Sequence, residues 1–81
     1  MSADGVISFD GTNYRAAYQQ SSRMNPIRLG PVGSELLTFA SEQLAIDAIE
    51  YRARLDGQGV TIRAGNYPRG TRKHGEIISQ M

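Results

Sequence analysis

The chain has 81 residues, enough for one small domain and too few for two separate hydrophobic cores. Its formal net charge of +1 gives no strong overall attraction to nucleic acid, and its 40% hydrophobic and 21% charged residues exclude a wholly disordered chain. The absence of cysteine excludes disulfides, thiolate nucleophiles and cysteine-ligated metal centres.

The first predicted element is a β-hairpin. Residues 6–9 and 12–18 alternate apolar and polar side chains, which is typical of strands that bury one face. The turn is either a two-residue Asp10-Gly11 turn or a longer loop of residues 10–13. Both alternatives place the same side chains on one face: Ile7, Phe9, Tyr14, Ala16 and Tyr18. Arg15 then lies on the opposite face.

Two further short strands are predicted before the helix. Residues 27–29 alternate apolar, basic and apolar side chains, and the flanking Pro26 and Pro31 indicate an edge strand that carries Arg28. Residues 36–39 predict another strand, with Leu37 and Phe39 facing the core, that runs directly into the helix.

Residues 42–55 predict an α-helix, because they contain no Gly or Pro and have a good N-cap, Ser41, before them and Gly57 after them. Its apolar arc is wide and contains Leu44, Ala45, Ile46, Ala48, Ile49, Tyr51, Ala53 and Leu55. Either a curved sheet and a loop enclose this helix, or a spare edge of Ile46, Ile49 and Ala53 contacts a second copy of the chain. Arg52 lies within the arc, where it either covers the core with its methylene groups or pairs with an acid.

Residues 60–64 predict a last core strand, with Arg63 pointing outward. We therefore expect a single α+β domain in residues 1–64, in the order β-β-(β)-β-α-β, with an antiparallel sheet of about four strands and one helix on one face. Residues 65–81 form a basic tail rich in Gly and Arg, which is either mobile or returns to the sheet through Ile77 and Ile78.

The residues that usually carry catalysis do not form a recognisable motif in this chain. It has no phosphate-binding loop, no His-Glu-x-x-His zinc motif and no nucleophile elbow. The single histidine, His74, falls in the basic tail, where solvation is the simpler interpretation. We therefore expect no enzyme activity, no metal and no cofactor.

Strand parity brings three basic side chains together. If the helix covers the face lined by Ile7 and Ile62, then Arg15, Arg28 and Arg63 all lie on the other face. The tail could extend this surface with Tyr67, Arg69, Arg72 and Lys73. The alternatives are a site that recognises an anion or an acidic partner, or an ordinary solvated sheet face. Eight of the nine cations are arginine, which fits recognition of carboxylate or phosphate but also coding bias.

The predicted layout resembles the arm-type DNA-binding domains of phage integrases. The resemblance rests on Tyr14-Arg15 in a strand and on Phe39-x-Ser41-x-x-x-Ala45 at the helix entrance, and it covers residues 5–56. It implies a sheet laid in the major groove of DNA with the helix behind it.

The size of the chain and its Phe39-Ala40-Ser41-Glu42-Gln43-Leu44 strand-to-helix junction also resemble small phage-borne anti-CRISPR proteins. This resemblance implies a non-catalytic inhibitor that occupies a surface of a host protein or ribonucleoprotein complex.

We therefore expect an anti-CRISPR-like inhibitor that docks on such a complex through its arginine-bearing sheet face. The alternative is direct binding of DNA or RNA, and a homodimer is compatible with either. No apolar run reaches the roughly 18 residues of a membrane span, and the first residues lack a signal-peptide pattern. We thus expect a cytoplasmic protein with no membrane partner.

Overall fold

In a computed structural model, which describes residues 2–81, the chain folds as one helix on one face of a five-stranded sheet. The elements are β1 (Ser2–Phe9), β2 (Tyr14–Gln19), β3 (Ile27–Leu29), α1 (Glu42–Leu55), β4 (Gly59–Ala64) and β5 (Ile77–Gln80). The strand order is β3-β2-β1-β4-β5. The α+β class is confirmed, but the sheet has five strands rather than about four, and it is mixed rather than antiparallel.

The parallel pair is β1 and β4, which lie side by side at the centre of the sheet. The chain leaves β3, crosses one face as α1 and re-enters the sheet as β4, so it returns to the end where β1 begins. A helical crossover of this kind is the usual way to join strands of the same direction. The pairing begins at Ser2 with Gly59, four residues before the start of the predicted first strand.

The hairpin between β1 and β2 uses the longer of the two predicted loops. Phe9 pairs with Tyr14, and residues 10–13 connect them. The Asp10 carboxylate accepts the backbone N–H groups of Thr12 and Asn13, each at 2.8 Å, which closes an Asx turn. Gly11 has a φ of 99°, a left-handed conformation in which a side chain would be strained.

Residues 36–39 do not form the predicted strand. Phe39 alone pairs with the sheet, through two backbone hydrogen bonds of 2.7 and 3.0 Å to Tyr14. The rest of that edge of β2 is already paired with β3, and Leu36 and Leu37 stay 70% and 41% exposed. The expected inward position of Leu37 is therefore wrong, whereas Phe39 is buried.

The predicted bounds of α1 are confirmed. The Ser41 hydroxyl accepts the backbone N–H of Leu44 at 3.2 Å, and Gly57 adopts a φ of 70° just after the helix. Both ends thus satisfy backbone groups that a helix leaves without partners.

The apolar edge that α1 leaves exposed differs from the predicted one. Ile46, Ile49 and Ala53 are only 8%, 0% and 1% exposed, because they pack against the sheet. They are therefore inaccessible to a second chain. The exposed apolar side chains of α1 are instead Leu44, Tyr51 and Leu55.

Of the two predicted roles for Arg52, the structure shows the contact with an acid, together with a cation–π contact. Its guanidinium lies 5.7 Å from the ring centroid of Tyr18, and its Nε lies 3.7 Å from the Asp56 carboxylate. The Tyr18 hydroxyl donates to the same carboxylate at 2.6 Å. Burial, followed by this hydrogen bond, raises the pKa of Tyr18 to about 12. The three side chains tie the C-terminal end of α1 to β2.

The segment after residue 64 belongs to the same sheet. Of the alternatives for this segment, the structure shows a late strand, because β5 pairs with β4 and Ile78 packs against the core. The Ser79 hydroxyl also donates to Glu50 of α1 at 2.9 Å. A domain boundary after residue 64 would therefore separate an edge strand from its sheet.

Candidate binding face

One face of the sheet packs against α1, and the opposite face, called the open face here, carries three of the seven predicted site residues. The register of the strands determines which side chains lie there. They are Asp4, Val6, Ser8, Arg15, Ala17, Gln19, Arg28, Thr61 and Arg63. The structure therefore places Arg15, Arg28 and Arg63 together on one face of the molecule.

A single cross-strand row runs through the open face. Arg28 of β3 pairs with Ala17 of β2, Ala17 with Val6 of β1, Val6 with Arg63 of β4, and Arg63 with Ile77 of β5. Neighbouring strands are about 4.8 Å apart, so the backbones of Arg28 and Arg63 are about 14 Å apart. The row thus has a small apolar centre between two arginines.

A depression with a volume of about 420 Å³ lies beside this row. Val6 and Ala17 form part of its lining, together with Arg15, Arg28 and Asn66. Guanidinium and amide groups at the edge of an apolar floor can donate several hydrogen bonds to one carboxylate. The depression has the chemistry to receive an acidic side chain.

Two of the three arginines already have acidic neighbours within the chain. Arg15 Nη1 lies 2.7 Å from Asp10, and Arg63 Nη1 lies 3.6 Å from Asp4. Hydrogen bonds from the Asn13 backbone, the Arg15 guanidinium and the Thr12 backbone lower the pKa of Asp10 to about 2. Asp10 is therefore ionised at neutral pH and opposes part of the positive charge of the open face.

Arg28 differs from these two arginines. Within residues 2–81 it forms no ion pair, and its side chain is exposed at the edge of the depression. Its charge is therefore the most available on the open face. The sequence placed Arg28 on this face by parity, but the free state of its guanidinium depends on cross-strand neighbours that a local pattern does not specify.

Tyr67 and Arg72 lie elsewhere, which corrects their predicted place beside the open face. Tyr67 packs against Phe9 and Tyr14 on the helix side, with ring centroids 6.2 and 6.3 Å away. Its hydroxyl donates to Glu42 at 2.9 Å. Burial, followed by this hydrogen bond, raises the pKa of Tyr67 above its usual range.

Arg72 holds the start of α1 through a bidentate contact. Its Nε and Nη2 atoms donate to the two carboxylate oxygens of Glu42 at 2.8 and 2.7 Å, and Nη1 donates to Glu76. These contacts lower the pKa of Glu42, the Arg72 hydrogen bonds having the largest effect. Arg72 is thus engaged within the chain and offers little charge to a partner.

The remaining predicted residues, Arg69 and Lys73, are exposed in the turns between β4 and β5. Among residues 2–81 they take part in no ion pair. Neither residue lines the depression. His74 is likewise exposed, one residue after Lys73.

The site predicted from the sequence does not include the acidic members of the open face or its apolar centre. Asp4 lies before the predicted first strand, and Asp10 is predicted only as a turn residue. Val6 alternates with Ile7, so its outward position was available from the period-two pattern. The pairing of Asp4 with Arg63 had no local signal, because it joins β1 to a strand on the far side of α1.

The part of the chain that the structure describes contains no group of three or more histidine, aspartate or glutamate residues placed to hold a metal ion. No helix within residues 2–81 has both the length and the apolar character needed to span a membrane. Compared with known proteins, the chain matches no family, no curated protein and no solved structure at a significant level.

Proposed function

We propose that the protein is a non-enzymatic binding protein whose open face docks on an acidic patch of another protein. The partner is a component of a host nucleoprotein complex, which the chain inhibits by occupying that patch, as an anti-CRISPR protein does. The row from Arg28 through Ala17 and Val6 to Arg63 is the observation that carries this proposal. Arginines around a small apolar centre are typical of protein interfaces.

The charge of the open face favours a protein over nucleic acid. A surface that binds a phosphate backbone needs several cations without acids among them, since affinity depends on the number of phosphates neutralised. Here Asp4 and Asp10 lie beside two of the arginines. A protein surface can match such alternating charges, whereas a phosphate backbone is repelled by the two carboxylates.

The depression also favours binding over chemistry. Guanidinium groups act in proteins as fixed cations and hydrogen-bond donors, so a depression lined by Arg15 and Arg28 is suited to hold an anion rather than to transfer a proton. Asp10 is ionised, with a pKa of about 2, and is engaged by its neighbours. These groups supply charge and directed hydrogen bonds.

The proposal is tested by capture from a host lysate on immobilised protein, after nuclease treatment. We expect specific proteins to be retained by the wild type and lost by the Arg28→Glu variant, with at least about a tenfold fall in affinity. Arg28 is the most informative residue to substitute, because it is exposed and its substitution breaks no intrachain ion pair. Arg15→Glu/Arg28→Glu/Arg63→Glu should remove binding completely.

Arg23→Glu is the matched control, since Arg23 is exposed in the β2–β3 loop and does not line the depression. Equal retention by Arg28→Glu, Arg23→Glu and the wild type would show that the open face is not the docking surface.

The competing function, direct binding of DNA or RNA, is tested by fluorescence anisotropy with a labelled duplex and a labelled single strand. Micromolar affinity that falls steeply between about 50 and 200 mM salt would show that the partner is nucleic acid rather than a protein.

A further inference from the structure

An apolar groove runs along the exposed side of α1, on the opposite side of the sheet from the open face. Its volume is about 880 Å³, and it lies between α1, the end of β3 with the following residues 30–32, and residues 38–40. Val32, at the wall of the groove, is fully exposed. Folded monomers of this mass have an accessible surface of about 4,800 Å². The chain exposes 5358 Å², which is more than a folded monomer of this mass usually exposes.

The helix side of the groove is a regular stripe of Leu44, Ala48, Tyr51 and Leu55. The stripe follows the i, i+4, i+7, i+11 spacing that places side chains on one line of a helix. Leu44, Tyr51 and Leu55 are 51%, 56% and 66% exposed, and the stripe is about 16 Å long. Apolar side chains in such a line have the geometry to pack against another helix.

The stripe is complementary to itself when reversed. In an antiparallel pairing with a two-fold axis between Ala48 and Tyr51, Leu44 faces the partner's Leu55, and Ala48 faces the partner's Tyr51. Each contact then joins two leucines, or a small residue with a large one, which fills space without overlap.

The charges beside the stripe show the same complementarity. Asp47 and Arg54 are seven residues apart and lie on the same flank of α1. A two-fold antiparallel pairing brings equal flanks together, and with the axis between Ala48 and Tyr51 the backbone of the partner's Arg54 lies about 3 Å along the helix from that of Asp47, within reach of the long arginine side chain. Within residues 2–81 neither forms an ion pair, and Asp47 accepts only a hydrogen bond from Gln43. The other flank is already neutralised by the contact of Arg52 with Asp56.

We propose that this groove is occupied by α1 of a second copy of the chain, in an antiparallel, two-fold symmetric dimer. A second copy is the occupant because the apolar stripe and the charges beside it are both complementary to the same residues in reversed order. The two open faces then point away from the interface, so the dimer presents two equivalent docking surfaces. The dimer does not depend on what the open face binds.

The first test is sedimentation equilibrium of the full chain. We expect a monomer–dimer equilibrium with a dissociation constant on the order of 10–100 µM, because the interface is at the small end of specific contacts. Leu55→Glu should remain a monomer at every protein concentration at which the wild type forms a dimer. Ile77→Glu is the matched control, since Ile77 is 50% exposed on the other face and its substitution should leave the dimer unchanged.

The second test uses charge reversal. Asp47→Arg and Arg54→Asp should each weaken the homodimer by about tenfold or more, because like charges then meet across the two-fold axis. An equimolar mixture of the two variants should dimerise again, since every contact then joins opposite charges. Both residues are exposed, so the monomer fold is preserved, which circular dichroism checks.

A wild-type chain that stays monomeric to about 1 mM would overturn the proposal, since this exceeds the expected dissociation constant by at least tenfold. So would a mixture that associates no better than either variant alone. If Leu55→Glu dimerises as well as the wild type, association uses a different surface, which also contradicts this interface.

Discussion

Gly5 determines how closely α1 approaches the sheet. It lies in β1, and a Cβ atom built there would be 2.7 Å from Ile49 Cγ2 and 3.1 Å from Ile49 Cδ1. Real carbon atoms do not approach so closely without displacement of the side chain. Ile49 is fully buried and cannot move aside freely. The contact of α1 with the centre of the sheet therefore requires glycine at this position.

Gly5→Ala should destabilise the protein by about 1–3 kcal/mol, because the added methyl group overpacks the space beneath Ile49. Urea denaturation measures this loss. In an Ile49→Ala background the same substitution should cost much less, since the two closest atoms are gone and only Ile62 Cγ1, at 3.3 Å, remains close. An equal cost in both backgrounds would mean that Gly5 matters for its backbone conformation rather than for space.

The arginines illustrate what residue-level prediction can achieve. Period-two alternation was sufficient to place Arg15, Arg28 and Arg63 on one face, because neighbouring side chains of a strand point in opposite directions. It was not sufficient to distinguish the free Arg28 from the paired Arg15 and Arg63. Their acidic neighbours come from the β1–β2 loop and from β1, and which of them come close depends on register.

At the scale of elements, the start of α1 is joined to the segment between β4 and β5. Glu42, the first helical residue, accepts hydrogen bonds from Arg72 and Tyr67. Its position also places a negative charge at the positive end of the helix dipole. The dipole effect follows from the position of Glu42 alone, whereas the contact with Arg72 and Tyr67 joins α1 to a segment that the sequence predicts as a tail.

This contact predicts a pH-dependent stability. The pKa of Glu42 in the folded protein is lowered, so its contribution is fully present above its unfolded value of about 4.3 and disappears as the pH falls through the lower folded value. Glu42→Gln should therefore lower the free energy of unfolding by about 1–2 kcal/mol at neutral pH. The difference between wild type and variant should shrink towards zero as the pH falls through the lowered pKa of Glu42 in the folded protein.

Urea denaturation of both proteins at several pH values measures this difference. Asp10 also loses its favourable contacts in acid, but it does so equally in both proteins and cancels from the comparison. A difference that stays constant with pH would contradict an ionic contribution from Glu42. It would leave only the loss of packing at the start of α1.

At the scale of the whole molecule, β5 completes the sheet at the β4 edge. Ile77 and Ile78 are adjacent in sequence, yet Ile77 is 50% exposed while Ile78 packs against the core. The irregular register near Ile62 and Arg63 shifts the pairing at this point. This asymmetry distinguishes a paired strand from a mobile tail in which both side chains would be equivalent.

Ile78→Ala should lower the free energy of unfolding by about 1–2 kcal/mol, less than for a fully buried isoleucine because the side chain is partly exposed. Ile77→Ala, the matched control, should change it by less than about 0.5 kcal/mol. Thermal unfolding followed by circular dichroism measures both. Equal and negligible effects would show that residues 77–80 do not join the sheet in solution.

The sequence by itself determined the helix and its ends, the first hairpin, and the faces on which the arginines lie. These features depend on capping, turn chemistry and side-chain alternation, which act over a few residues. Only the tertiary structure decided the parallel β1–β4 pairing, the burial of Ile46, Ile49 and Ala53, and the capture of Glu42 by Arg72. These features join residues that are distant in the chain, and the direction in which α1 crosses the sheet brings them together. A local sequence pattern does not determine that direction, because α1 could cross the sheet in several directions and still bury the same apolar residues.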